Sequence, residues 1–271
     1  MLPVAPRYTS AVILELRHVR KSYDGGRTNA VDDVSFTAAP GELVVLVGES
    51  GSGKTTTLKM VNRLVEPTTG QVLVNGADVA ATDPVELRRS IGYVFQGIGL
   101  FPHMSISRNV GIIPRLLGWD EGRITRRVSE LLELVRLDPN EFGSRVPAEL
   151  SGGQRQRVGF ARALAAGPSL MLLDEPFGAL DQITREGLRT EFGQIQDQLG
   201  LTAILVTHDM TEALLIADRI IVMRNGRILR QGLPGEMMRD PGDPYVARLM
   251  ASPRHQAMRL SEMADSDRAK P

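Results

Sequence analysis

The sequence predicts an α/β protein built on a parallel sheet, with a helical lobe inserted into it. Three observations predict this. The runs 43–47 (LVVLV) and 170–173 (LMLL) are wholly apolar and have the length of strands buried on both faces. A glycine-rich loop, GESGSGKT at 48–55, joins the first run to a helical pattern. From about 97 to 167 the spacing is mostly helical, and beyond it strands and helices alternate again.

Taken in order, residues 1–11 read as a loose leader. It contains Pro3 and Pro6 and has no basic stretch before an apolar core, so no secretory signal is expected. A first strand is expected at 12–16 and another at 34–36, followed by a turn at Pro40–Gly41. The apolar strand 43–47 comes next. A helix at 55–64 carries Leu58, Val61 and Leu64 on its apolar stripe. Residues 71–74 return as a strand ending in Asn75–Gly76, a strong hairpin turn. Within the lobe, 123–137 places Ile124, Val128, Leu131, Leu132 and Val135 on one stripe, with Arg and Glu opposite. Then follow a strand at 170–173, a helix at 182–199, a strand at 203–206 and a short helix at 210–217. The segments 220–223 and 227–230 form a hairpin across Asn225–Gly226. The polar tail, 251–271, is expected to be mobile. This gives one domain over 12–250, with the helical subdomain at about 97–167.

Composition narrows the function. The 271 residues carry 32 basic and 32 acidic side chains, a formal net charge of zero, which argues against nucleic-acid binding through bulk charge. With 42% hydrophobic and 24% charged residues the chain can bury a core. It has no cysteine, hence no disulfide framework and no thiolate metal site, which suits the cytosol. The apolar runs fall far short of the roughly 20 residues that span a bilayer, so a role at a membrane would come through a partner. Of the basic residues, 28 are Arg and only four are Lys: Lys21, Lys54, Lys59 and Lys270.

The chemistry concentrates in the glycine-rich loop. GESGSGKT fits G-x-x-x-x-G-K-[ST] and has the required context, a strand before it and a helix after it. Gly48, Gly51 and Gly53 let the backbone wrap around a phosphate chain with its N–H groups pointing inward. The helix N-terminus adds positive potential. Lys54 is expected to reach the β- and γ-phosphates, and the Thr55 hydroxyl to bind Mg²⁺. Asp174, at the end of a buried strand taken to lie next to the loop's own strand, is the second expected Mg²⁺ ligand. Glu175 follows, turned by strand alternation to the other side, where it could orient or activate the attacking water. His208 follows the strand 203–206, where it could contact the γ-phosphate and position Glu175 or the water.

The LSGGQ run at 150–154 extends the pattern. With Tyr23, GESGSGKT, Gln96, LMLLDEP at 170–176, ALD at 179–181 and His208, it makes an ordered set that resembles the ABC-transporter ATPases over nearly all of 12–250. The resemblance implies a P-loop NTPase fold of the ABC type, with a RecA-like core, an antiparallel β subdomain and an inserted helical subdomain. It implies an ATP hydrolase acting on ATP and Mg²⁺. Tyr23 would stack on the adenine, and Gly48, Glu49, Ser50, Gly51, Ser52, Gly53, Lys54, Thr55 and Thr56 would hold the phosphates. Gln96 would touch Mg²⁺ and water and link to a membrane subunit. Ser151, Gly152, Gly153 and Gln154 would clamp a γ-phosphate bound to an opposite subunit, with Asp181 near the seam. The signature opens a helix, so its N–H groups make a second anion cradle. One chain cannot fold that cradle onto its own loop, and a head-to-tail homodimer with two ATP sites follows.

Three stretches, 51–70, 93–119 and 174–185, further resemble importers of quaternary-amine osmoprotectants such as glycine betaine, choline or carnitine. That resemblance implies transmembrane permease subunits docking near Gln96 to Asn109, on an apolar cluster of Ile98, Leu100, Phe101 and Met104. It also implies an extracytoplasmic solute-binding protein and a peripheral place on the cytoplasmic face of the cell (inner) membrane, with no nucleic-acid partner. Many relatives have Pro where this chain has Gln182, a change of little expected consequence. Longer members continue into paired cystathionine-β-synthase-type domains that respond to ionic strength. A chain ending at Pro271 is expected not to be regulated by that route. The rival readings are an importer motor for another small solute such as an amino acid, a soluble ABC ATPase acting on nucleic acid or ribosomes, and an exporter motor.

Overall fold

The computed structural model describes residues 11–251, 253 and 259. The expected leader, except residue 11, and the rest of the expected mobile tail lie outside the described residues. The strands are β1 (Leu14–Ser22), β2 (Asn29–Ala38), β3 (Leu43–Val47), β4 (Thr69–Val74), β5 (Ala77–Asp78), β6 (Ile91–Val94), β7 (Leu170–Asp174), β8 (Thr202–Thr207), β9 (Arg219–Arg224) and β10 (Arg227–Gly232). Six of them form one sheet in the order β10-β9-β3-β8-β7-β6, parallel except for β10. The other four form an antiparallel sheet in the order β2-β1-β4-β5. The expected fold class holds.

The two sheets read differently for a physical reason. Every residue of β3, β7 and β8 is buried, because helices cover one face of the parallel sheet, and a helix together with the antiparallel sheet shares the core on the other. The antiparallel sheet has an exposed face, and its register slips between Leu16 and Val19, where His18 (φ 48°) and its neighbour Asp33 (φ 59°) turn left-handed. Those irregularities break the two-residue period. Strands expected at 12–16 and 34–36 therefore run on to Ser22 and begin back at Asn29. The strand β6 was not expected at all. It is four residues long and contains Gly92, where any Cβ would press on the Ala163 carbonyl.

The helices are α1 (Lys54–Val61), α2 (Pro84–Ser90), α3 (Ile106–Val110), α4 (Ile112–Leu116), α5 (Glu121–Leu134), α6 (Pro139–Phe142), α7 (Gly152–Leu164), α8 (Gln182–Leu199), α9 (Met210–Ile216) and α10 (Pro234–Arg239). Helix α1 stops three residues before the expected Leu64, which lies on the surface beyond the left-handed Arg63. Five helices, α3 to α7, fill the connection from β6 to β7. Helix α5 starts two residues earlier than its apolar stripe suggests, because Asp120 accepts the Arg123 N–H at 2.8 Å and caps it. Helix α8 matches its expected span: Asp181 caps one end and Gly200, at φ 58°, ends the other.

The lobe is locked to the core by aromatic contacts. Phe160 of α7 and Phe192 of α8 lie 5.4 Å apart, and Phe177, after β7, packs edge-on against both. All three are buried. Truncating Phe192 to Ala leaves a cavity where lobe, sheet and α8 meet, and is expected to cost about 3–5 kcal/mol. Urea unfolding monitored by circular dichroism checks this.

Candidate nucleotide-binding site

The glycine-rich loop lies between β3 and α1. Gly53, at the helix N-cap, has φ 101°, and a Cβ there would sit 2.5 Å from the Ala30 carbonyl. A Cβ on Gly48 would run into the Met223 carbonyl on β9. Both positions therefore require glycine. No side chain caps α1, so its first N–H groups face the loop without an intrahelical partner. The Lys54 ammonium sits inside this ring, donating to the carbonyls of Gly48 at 2.7 Å and Glu49 at 2.9 Å and to Ser52 Oγ at 3.3 Å. Burial pulls its pKa down, against the pull of the Glu175 and Asp174 carboxylates. Thr56 and Ser50 complete the loop, with Ser50 exposed.

The Thr55 hydroxyl lies 2.8 Å from Asp174 Oδ1. One expectation needs correction here. The strand β7 is not next to β3; β8 lies between them, and Thr55 reaches Asp174 from α1 across the top of β8. Burial pushes Asp174 above the usual carboxylate range, while the Thr55 hydrogen bond and the charges of Lys59 and Lys54 pull it back. A hydroxyl and a buried carboxylate, two hard oxygen donors beside the N–H-lined loop, fit Mg²⁺, which is held by one or two protein oxygens together with substrate phosphates.

Glu175 does not continue the strand, so alternation is not what aims it. Its φ is 47°, left-handed, and its N–H donates to the Val206 carbonyl at 2.9 Å. A non-glycine residue in this region costs about 1 kcal/mol or more. The turn brings the carboxylate between two partners. Gln96 Nε2 donates to Oε2 at 3.2 Å, and His208 Nδ1 lies 3.4 Å from Oε1. Residues from three loops after β6, β7 and β8 thus meet at the carboxyl ends of adjacent strands.

The remaining expected residues sit apart from this centre. Tyr23 is 65% exposed just past β1, with the Lys21 ammonium 5.0 Å from its ring centre. Ser151 caps α7 and pairs with Gln154: Ser151 Oγ accepts the Gln154 N–H, and Gln154 Oε1 accepts the Ser151 N–H at 2.9 Å. Gly153 lets α7 close on α8, since a Cβ would meet Thr184 Cγ2 at 2.6 Å, and Gly152 faces Leu180. Asp181 caps α8, and the N–H and hydroxyl of Thr184 hold its carboxyl below the usual range.

The apolar cluster after Gln96 is arranged differently from the expectation. Of Ile98, Leu100, Phe101 and Met104, only Phe101 lines a surface groove. Ile98 packs on Gly159 of α7, and Leu100 against the core. Asn109 is buried, accepting the Phe101 N–H and donating to three carbonyls, so it shapes the loop from within. The groove is walled by Leu64, Phe95, Ile112, Ile113 and Leu116 as well. These residues are distant in sequence, and no period marks them as one surface. Two further residues carried no motif. Arg162 is buried and donates to the carbonyls of Ile98 and Gly99 at 2.7 and 2.6 Å, pinning the loop after Gln96. Tyr245 Oη accepts the Glu49 N–H at 3.3 Å, bracing the loop from behind. No described helix is long and apolar enough to cross a membrane.

Comparison with known proteins places this geometry. The sequence model described as ABC transporter matches residues 31–178. The carnitine transport ATP-binding protein OpuCA of Listeria monocytogenes is 53% identical over 234 residues, 86% of this chain and 58% of that protein. The glycine betaine uptake system ATP-binding protein YehX of Escherichia coli is 46% identical over 86% of this chain and 75% of its own length. Among solved structures, a dimeric post-hydrolysis state of an ATP-binding cassette bound to ADP and Pi superposes with a TM-score of 0.72 at 33% identity, covering 82% of this chain and 99% of that one. The chain thus spans less than two thirds of the carnitine relative and three quarters of the glycine betaine relative. With its phosphate loop, its Asp174–Glu175 pair and these matches, the chain belongs to the ABC transporter family of ATP-binding subunits.

Proposed function

We propose that this chain hydrolyses ATP to drive an importer of a quaternary-amine osmoprotectant, such as carnitine, glycine betaine or choline. The observation that carries the catalytic part is the Glu175 carboxylate, held between Gln96 and His208 beside the Thr55–Asp174 pair. The cargo follows from the names of the relatives. We place the chain as a peripheral subunit on the cytoplasmic face of the cell membrane. There it would work as a head-to-tail homodimer, with permease subunits seated on the groove beside Phe101 and a solute-binding protein beyond them.

The chemistry follows from the side chains. ATP binding draws the Lys54 ammonium off the Gly48 and Glu49 carbonyls onto the phosphates, while the N–H groups of Ser52 to Thr56 take the phosphate oxygens. Tyr23 offers its exposed ring to the adenine. Thr55, Asp174 and Gln96 would hold Mg²⁺, which supplies charge neutralisation on the phosphates. Each Glu175 oxygen has one partner and keeps lone-pair capacity, so the carboxylate can take a proton from the attacking water. His208 reaches toward the γ-phosphate and steadies Glu175. Ser151 to Gln154 of the second copy complete the enclosure, with Asp181 beside them. Catalysis is then mostly placement and electrostatics.

Replacing Glu175 by Gln is expected to lower kcat by about 10²-fold or more while ATP binding persists, so the dimer accumulates on size exclusion. Turnover at the wild-type rate overturns the role of Glu175. Replacing Asp174 by Asn removes a buried charge. The ligand-free protein is expected to gain about 1 kcal/mol in stability, while the Mg²⁺-dependent rise in melting temperature with ATP disappears. Calorimetry with and without MgATP checks both. For the cargo, the complex with its permease is reconstituted and uptake of labelled carnitine, glycine betaine and choline is measured. Uptake of an amino acid instead replaces the osmoprotectant reading.

A further inference from the structure

The chemistry above leaves one buried acid without a task. Glu212, the third residue of α9, is 5% exposed. Its Oε2 accepts the Thr207 hydroxyl at 2.6 Å. Thr207 Oγ1 in turn accepts the Asp209 N–H at 3.0 Å. Asp209 closes the turn, with Oδ1 accepting the N–H groups of Thr211 and Glu212 at 2.8 and 3.2 Å. The residue enclosed between Thr207 and Asp209 is His208. One chain neighbour of His208, Thr207, is therefore bonded to the Glu212 carboxyl group, and the other, Asp209, is bonded to the Thr207 hydroxyl and to the Glu212 N–H, while His208 itself, with a side chain 63% exposed, has its Glu175 contact to hold it.

Burying a carboxyl group is costly, and an Ala or Leu would fill the space more cheaply. Burial pushes Glu212 above the usual carboxylate range, the Thr207 hydroxyl pulls it down, Asp209 pushes it up again, and Arg189 and Arg185 of α8 pull it down. Its second oxygen, Oε1, has no hydrogen-bond partner, and neither does the buried Nε of Arg185. The other end of Arg185 donates from Nη2 to the Leu180 carbonyl at 2.9 Å, in the loop that ends at Asp181. Glu212 thus feels the charge of Arg185, which holds the loop ending at Asp181, and is bonded to the loop that carries His208.

We propose that Glu212, acting through Thr207, is a positioning residue that holds His208 against Glu175. This rests on the reading of His208 as the partner of Glu175 in hydrolysis. The Thr207–Glu212 bond sets the Thr207 hydroxyl, which in turn accepts the Asp209 N–H beyond His208, so the imidazole starts within reach of the carboxylate and need not be ordered when ATP binds.

The test is ATPase kinetics on the full chain, with thermal melts to show that each variant folds. Thr207→Val keeps the shape and removes the hydroxyl. It is expected to lower kcat about three- to tenfold, the loss of one hydrogen bond, with KM for ATP within about twofold. Glu212→Leu removes the acceptor for the Thr207 hydroxyl and is expected to lower kcat by the same factor as Thr207→Val, whereas Glu212→Gln restores an acceptor and is expected to recover kcat to within about twofold; a Glu212→Leu protein with unchanged kcat also overturns the proposal. In a His208→Ala background, Thr207→Val is expected to cause no further loss, because it acts only through the imidazole. An unchanged kcat in Thr207→Val overturns the proposal, as does a loss that recurs at full size without His208. If His208→Ala alone turns over like wild type, the reading of His208 itself fails, a result distinct from the failure of the Thr207 variant.

Discussion

The contact on which the site depends is the 2.8 Å approach of the Thr55 hydroxyl to Asp174. It crosses a strand, since β8 separates β7 from β3. It therefore ties the first turn of α1 to the far side of the sheet centre and fixes the loop ends between them. Gln96, Glu175 and His208 leave three successive strands of the same sheet, and the crossover order β3-β8-β7-β6 is what brings them into one row. Asp174 is buried to 4% exposure and pushed up by desolvation, so the folded chain holds a carboxylate at a cost that a cation would relieve.

In the proposed dimer one chain is only half of a site. The signature residues Ser151 and Gln154 are satisfied by each other at the start of α7, and the helix they open is packed through Gly153 onto α8. Their cradle is fixed on the lobe, away from Lys54 and Thr55. The helix that carries it is anchored to the core by the contacts among Phe160, Phe177 and Phe192.

The parallel sheet was legible because total burial leaves a plain mark: β3, β7 and β8 are apolar runs with turns on either side. The phosphate loop was legible because its glycines are imposed by close backbone approach, as at Gly48 and Gly53. The antiparallel sheet was only half legible, since the left-handed residues His18 and Asp33 interrupt its alternation. The aim of Glu175 could not be read from strand period, because a left-handed turn sets it after β7 has ended. Arg162, Tyr245 and Glu212 carry no pattern at all. Each acts through a backbone or hydroxyl contact between segments far apart or around a turn, and only the fold brings those partners together. The groove beside Phe101 is likewise assembled from α4, β6 and the end of the α1 segment.

The central claim is that catalysis needs the phosphate loop of one copy and the signature of another. Lys54→Ala disables the first and Ser151→Arg the second. Each variant alone is expected to be inactive. Mixed in equal amounts, they form a heterodimer in which one of the two sites pairs an intact loop with an intact signature. About a quarter of the wild-type ATPase activity should then return. A mixture that stays inactive although heterodimers form, or a Ser151→Arg protein that hydrolyses ATP at the wild-type rate by itself, would contradict the account.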